Sequence, residues 1–165
     1  MHRILFYVLK NIAFLCRLFS DKLYMRFIIL AYRKQGVVFE GKPEYIDYAS
    51  YIDPSGSLTI GNRVVISTKV IILTHDWSFL VRYHAQPSPV TPPHTFNNKA
   101  FSPVCIGDHS FIGAGAILLP GSKIGKFCII GSGAVVKGKV EDYSIIIGNP
   151  AEKIGDTRDP KYILL

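Results

Sequence analysis

Six aliphatic residues spaced by six constrain this chain more than any other feature. Ile106, Ile112, Leu118, Ile124, Ile130 and Val136 recur without a slip, and glycine follows four of them, as Gly107, Gly113, Gly125 and Gly131. A second set precedes it at Ile60, Ile66 and Ile72, and a third at Ile46 and Ile52, with two extra residues between Ile52 and Ile60. A fixed repeat outranks other fold signals. Each hexad supplies one short strand and a turn, with one aliphatic side chain pointing inward and small residues permitting the corner. A hexad alone buries almost nothing, so stability comes from stacking on its neighbours. Three strands per coil predict a triangular prism with coils about 4.8 Å apart. The period does not set the handedness, and parallel crossovers are normally right-handed.

Residues 1–34 differ in character. Ile4, Leu5, Val8, Ile12, Leu15 and Phe19 recur at helical spacing, and Ser20–Asp21 reads as the cap of a second helix with Leu23, Phe27, Leu30 and Ala31 on one face. The net charge of the chain is +7, and this arm holds seven basic residues against one acid, Asp21. Such a basic, apolar arm fits either an anionic membrane surface or packing on the body, a neighbouring subunit or the open end of the repeat stack. Its apolar runs are broken by Lys10–Asn11 and Arg17, so neither a signal peptide nor a transmembrane helix is expected. Cys16, Cys105 and Cys128 form no CxxC pair and are expected as buried free thiols in a reducing compartment. The expected location is cytoplasmic, peripheral on the inner face of the plasma membrane if the arm binds lipid. The expected divisions are the arm (1–34), the repeat domain (35–154) and a tail (155–165).

The repeat stops at Leu73 and resumes at Cys105, leaving a loop over 74–104 that contains His75, Asp76, Trp77, His84 and His94. A loop this long on a rigid scaffold favours function. His75, where strand gives way to loop, is the candidate general base, because imidazole titrates near neutrality. Asp76 is a candidate to orient it, although adjacent strand side chains point to opposite faces. If Ile52 stacks under Ile72, then Asp53 and Ser55 lie near Leu73 and His75, which makes Asp53 a second candidate to orient the histidine or bind the acceptor. Trp77 is a candidate acceptor platform or a hydrophobic anchor. The spacing of His75, His84 and His94 has no metal-ligand signature, so no metal is expected.

The stretch CIGDHSFIGAGAILLPGSKIGKFCIIGSGAVVKGKV, closed by IIGNPAEKI, resembles the hexapeptide-repeat acyltransferases, over about residues 36–154. The likeness is to the galactoside, maltose and nodulation-factor O-acetyltransferases, and especially to enzymes that decorate capsular and lipopolysaccharide sugars. It implies an all-β, left-handed parallel β-helix with the helical arm and an extruded loop, an exception to the usual crossover hand. It implies a homotrimer with acetyl-CoA as acyl donor in the groove between neighbouring prisms. It assigns the catalytic role to the histidine at the position of His75. Its donor contacts map onto Phe111, Gly113 and Ala114, onto Ser132, Gly133 and Ala134, and, towards the phosphate end, onto Lys137, Lys139 and Lys153. Phe111 replaces the usual tryptophan, Asp53 the acceptor-contacting asparagine, and Glu152 a frequent basic residue.

The function expected is acetyl-CoA-dependent O-acetylation of a sugar hydroxyl in surface or capsular polysaccharide synthesis. N-acetylation of a nucleotide-linked amino sugar is the first alternative, and a non-catalytic β-helix scaffold is the second. No Walker-type loop and no nucleic-acid-binding signature is present, so the positive charge does not call for a nucleic-acid partner.

Overall fold

The computed structural model describes residues 2–85 and 100–162. The chain opens with a helical hairpin, α1 (His2–Cys16) and α2 (Asp21–Lys34), and then winds into a prism. The first coil is β1 (Val38–Phe39), β2 (Tyr45–Ile46) and β3 (Tyr51–Ile52), and the second is β4 (Leu58–Ile60), β5 (Val65–Ile66) and β6 (Ile71–Ile72). After the long loop come β7 (Val104–Ile106), β8 (Phe111–Ile112) and β9 (Ile117–Leu118), then β10 (Lys123–Ile124), β11 (Ile129–Ile130) and β12 (Val135–Val136). The last coil has β13 (Lys139–Val140) and β14 (Ser144–Ile147), and β15 (Glu152–Asp156) folds back antiparallel on β14.

Every third strand stacks into the same wall. The first wall runs β1-β4-β7-β10-β13, the second β2-β5-β8-β11-β14-β15, and the third β3-β6-β9-β12. All pairings are parallel except the last. This is the parallel β-helix expected from the repeat, with the left hand that the family resemblance implies, and the crossover rule for ordinary parallel sheets gives way to it. The hexad residues point inward: Ile60, Ile106 and Ile124 stack in one wall, Ile66, Ile112 and Ile130 in the next, and Ile72, Leu118 and Val136 in the third, all buried. The register advances by eighteen residues from Ile112 to Ile130, but by twenty from Ile52 to Ile72. The two extra residues fall in the corner that holds Ser55, beside His75.

The arm closes the open end of the prism. Tyr24, Met25, Ile28 and Tyr32 of α2 share one buried cluster with Ile46 and Ile52 of the first coil. The first coil has no coil beneath it, so its carbonyls need other donors. The Tyr24 hydroxyl donates to the Ile46 carbonyl at 2.7 Å, and Lys10 Nζ donates to that of Tyr48 at 2.9 Å. Ser20 caps α2 as expected, accepting from the Leu23 amide at 3.5 Å. The buried faces differ from the expected ones. In α2 the inward residues are Tyr24, Met25, Ile28, Ala31 and Tyr32, while Leu23 and Leu30 are exposed. In α1, Leu9 and Ala13 are inward, and Ile4, Val8, Leu15 and Phe19 face out. Of the three free cysteines, Cys128 is buried, whereas Cys16 and Cys105 are only partly so.

The loop is not without structure. It carries a short helix, α3 (Phe79–His84), and its end overlaps β7; residues 86–99, including His94, lie outside the described residues.

Candidate functional site

Strand register builds the site. Ile52 pairs with Ile72, so Asp53 follows the first coil at the corner where His75 follows the second. His75 Nδ1 lies 2.6 Å from Asp53 Oδ2 and 3.1 Å from Ser55 Oγ. Asp53 is buried, and the His75 side chain is about one-third exposed. Burial alone would raise the Asp53 carboxyl, but hydrogen bonds outweigh it: Ser55 and Thr74 each donate to it from side chain and backbone, and they hold it well below the usual carboxylate range. Facing an ionised carboxylate, Nδ1 carries the proton, and Nε2 is left with a lone pair. An imidazole so oriented can accept a proton at Nε2 and be stabilised as imidazolium by Asp53.

The neck of the loop pins this pair. Asp76 N donates to Ala100 O at 2.7 Å, Ser102 N donates to Thr74 O at 2.9 Å, and His75 forms an antiparallel bridge with Phe101. The Phe101 ring lies 6.3 Å from the rings of both His75 and Trp77. Trp77 is 43% exposed and meets Phe101 edge to face. Asp76 accepts from Ser78 N and Oγ, a local cap for the turn into α3. The carboxylate on His75 Nδ1 is therefore Asp53 from the coil below. His84 is exposed at the end of α3, and among the described residues no group of three His, Cys, Asp or Glu side chains is placed to hold a metal ion.

The residues expected to meet the donor divide between two edges of the prism. Phe111, Gly113, Ala114, Ser132, Gly133 and Ala134 lie on β8 or on the edge between the second and third walls. Phe111 is 40% exposed, and Ser132 and Gly133 are exposed. Gly133 has φ +70° with open space where a Cβ would stand, so backbone is accessible there. Gly113 has a different reason to be glycine: a Cβ would fall 2.6 Å from Ser132 N of the next coil. Ala134 is fully buried, and its carbonyl accepts from Ile117 N at 2.8 Å, so it serves the core of this corner. Lys153 is exposed on β15, just past the last corner of the same edge. Lys137 and Lys139 instead follow β12, on the edge that carries His75, and Lys139 Nζ pairs with Glu141 at 2.8 Å.

Known proteins resemble this arrangement. The family described as bacterial transferase hexapeptide (six repeats) matches residues 106–138. A Mycobacterium tuberculosis protein named as an acetyltransferase is 33% identical over 60% of this chain and 37% of its own length. WbbJ of Escherichia coli K12, named for O-acetyl transfer in lipopolysaccharide biosynthesis, is 30% identical over 73% of this chain and 61% of its own. Residues 106–138 thus carry the hexapeptide repeat of bacterial transferases, and relatives that match more of the chain are named as acetyltransferases. The chain spans about two-fifths to three-fifths of the length of these relatives. A hexapeptide-repeat acetyltransferase of Vibrio cholerae, solved with acetyl-CoA, shares the fold with TM-score 0.60 at 16% identity, covering 96% of this chain and 88% of that one.

Two site residues carried no sequence signal of their own. Thr74 donates to Asp53 Oδ2 at 2.7 Å and accepts from Gly56 N at 2.8 Å. It is found only once the twenty-residue register sets it above Asp53. Phe101 reaches His75 across a loop of unpredictable path.

Proposed function

We propose that this chain is an acetyl-CoA-dependent O-acetyltransferase that acetylates a sugar hydroxyl in the assembly of a surface or capsular polysaccharide. The observation that carries this reading is the 2.6 Å contact between Asp53 Oδ2 and His75 Nδ1 at a corner of the β-helix. Its relatives' names support the class of reaction and acceptor.

In this reading His75 Nε2 removes the proton from the acceptor hydroxyl as the oxygen attacks the thioester carbonyl. Asp53 holds the ring's tautomer and stabilises the imidazolium that forms. As the tetrahedral intermediate collapses and the C–S bond breaks, His75 returns the proton to the departing thiolate. The products are the acetyl ester and free coenzyme A. The Trp77 face is the proposed platform for a sugar ring. Exposed backbone at Ser132 and Gly133 suits the thin amide chain of the donor, with Lys137, Lys139 and Lys153 serving its phosphates.

The protein works as a homotrimer in this account. One chain keeps His75 and the Ser132–Gly133 corner on different edges of its prism, so a neighbouring copy is needed to bring them together. The outer surfaces support this. The second wall presents Phe111 and Ile129, and the third Tyr51, Ile71, Ile117 and Val135, whereas the first presents Val38 and then Thr59, Cys105, Lys123 and Lys139. The two walls that flank the Ser132–Gly133 edge are thus the apolar ones. The site is assigned to the cytoplasm, where acetyl-CoA is made.

The test is release of coenzyme A thiol from acetyl-CoA across a panel of free sugars, oligosaccharides and nucleotide-linked amino sugars. Release with a hydroxyl acceptor is the expected result. Release only with amino sugars would replace it with N-acetylation, and silence across the panel with no acetyl-CoA binding would leave a scaffold.

A further inference from the structure

The arm leaves an apolar surface uncovered. On α1 the side turned away from the prism carries Ile4, Val8, Ile12 and Leu15, and the turn into α2 adds Leu18 and Phe19; Leu18 is 72% and Phe19 86% exposed. Lys10 of α1 and Arg17 just after it turn instead towards the prism. Lys10 donates to Tyr48 O, and Arg17 pairs with Asp47 at 3.7 Å. The polar residue on it, Asn11, accepts from the Tyr48 hydroxyl. After the turn, α2 exposes a row of Lys22, Arg26 and Arg33, spaced by four and seven. The groove next to this row is completed by Lys42, with Glu40 as its acid.

Charge decides which occupant fits. Residues 1–34 hold seven basic side chains and one acid, whereas the rest of the chain holds twelve and eleven. The excess of cations on the arm is matched by anionic head groups better than by the nearly neutral remainder of a second copy. Among the described residues no helix is long and apolar enough to cross a membrane. An apolar stripe flanked by cations on a helix too short to span is suited to lying in the interface.

We propose that the helical hairpin docks peripherally on an anionic lipid surface, with the outer face of α1 and the Leu18–Phe19 turn inserted among the acyl chains and Lys22, Arg26 and Arg33 on the lipid phosphates. This surface is independent of the acetyl-transfer reading. The inward faces of the same helices keep their role as the prism's cap, so the expected alternatives of packing and membrane contact fall on opposite sides of one element.

The test is co-sedimentation of the full chain with phosphatidylcholine vesicles, with and without phosphatidylglycerol. The chain should pellet with the anionic vesicles and release as salt rises. Leu18→Asp/Phe19→Asp should weaken partition at least about tenfold, and Lys22→Gln/Arg26→Gln about fivefold for each charge removed. Both variants should keep the wild-type mass and melting temperature, because these side chains are exposed. Equal partition to both vesicle types, or none to either, overturns the proposal. So does a Leu18→Asp/Phe19→Asp variant that changes the oligomeric mass and binds vesicles like wild type, because the face then belongs to a contact between copies.

Discussion

Asp53 is the residue on which the candidate site turns. Its carboxylate takes hydrogen bonds from Ser55 and Thr74 and still lies 2.6 Å from His75 Nδ1. Asp53→Asn should leave the fold intact but can present an amide N–H to Nδ1, stabilising the wrong tautomer. Turnover is expected to fall by about 10²–10⁴-fold, measured as thiol release; turnover within twofold of wild type would contradict the role. The same carboxyl has a stability signature. Its folded pKa lies below its unfolded one, so its contribution is complete above the unfolded value of about 4 and is lost as pH falls through the folded value. Thermal midpoints of wild type should therefore drop more steeply below about pH 4 than those of Asp53→Asn, and parallel curves would count against it. Asp53 was readable from the sequence because counting hexads set it under Leu73. Asp76, adjacent in sequence, was equally visible as a candidate, but adjacency carries no information about which coil the partner comes from.

At the scale of elements, α2 works as a cap. The Tyr24 hydroxyl gives the Ile46 carbonyl the donor that a further coil would have supplied. Tyr24→Phe leaves that buried carbonyl unpaired and should cost about 1–3 kcal/mol, measured by urea unfolding. Leu23→Ala, on the exposed side, should stay within about 0.5 kcal/mol. Equal effects would mean that the hairpin is not seated on the prism. The two helices and their Ser20 boundary could be read from spacing and capping residues. Their inward faces could not, because both helices are apolar on more than one side. What selects the face is the hydroxyl of Tyr24 and the ammonium of Lys10 meeting first-coil carbonyls, a demand of the prism's end that a hydrophobic pattern does not contain.

For the whole molecule, the six-residue period was enough to foresee the prism and its core. It did not say which corners share an edge. Phe111, Gly113 and Ser132 are expected along the donor and Lys137 and Lys139 at its phosphate end, and three walls per turn put the lysines on the edge of His75. That separation underlies the proposed trimer. Sedimentation should give a mass three times the 18.4 kDa of the chain. Ile129→Asp, in the outer row of the second wall, should lower it; a monomer that acetylates at full rate would remove the need for a neighbour.

The central claim is that His75, set by Asp53, moves the proton in acetyl transfer. Its most direct test is turnover of His75→Ala with acetyl-CoA and the acceptor that wild type uses, alongside acetyl-CoA affinity by calorimetry. Turnover lowered by about 10²–10⁴-fold with affinity nearly unchanged is the predicted result. Turnover equal to wild type would contradict the account.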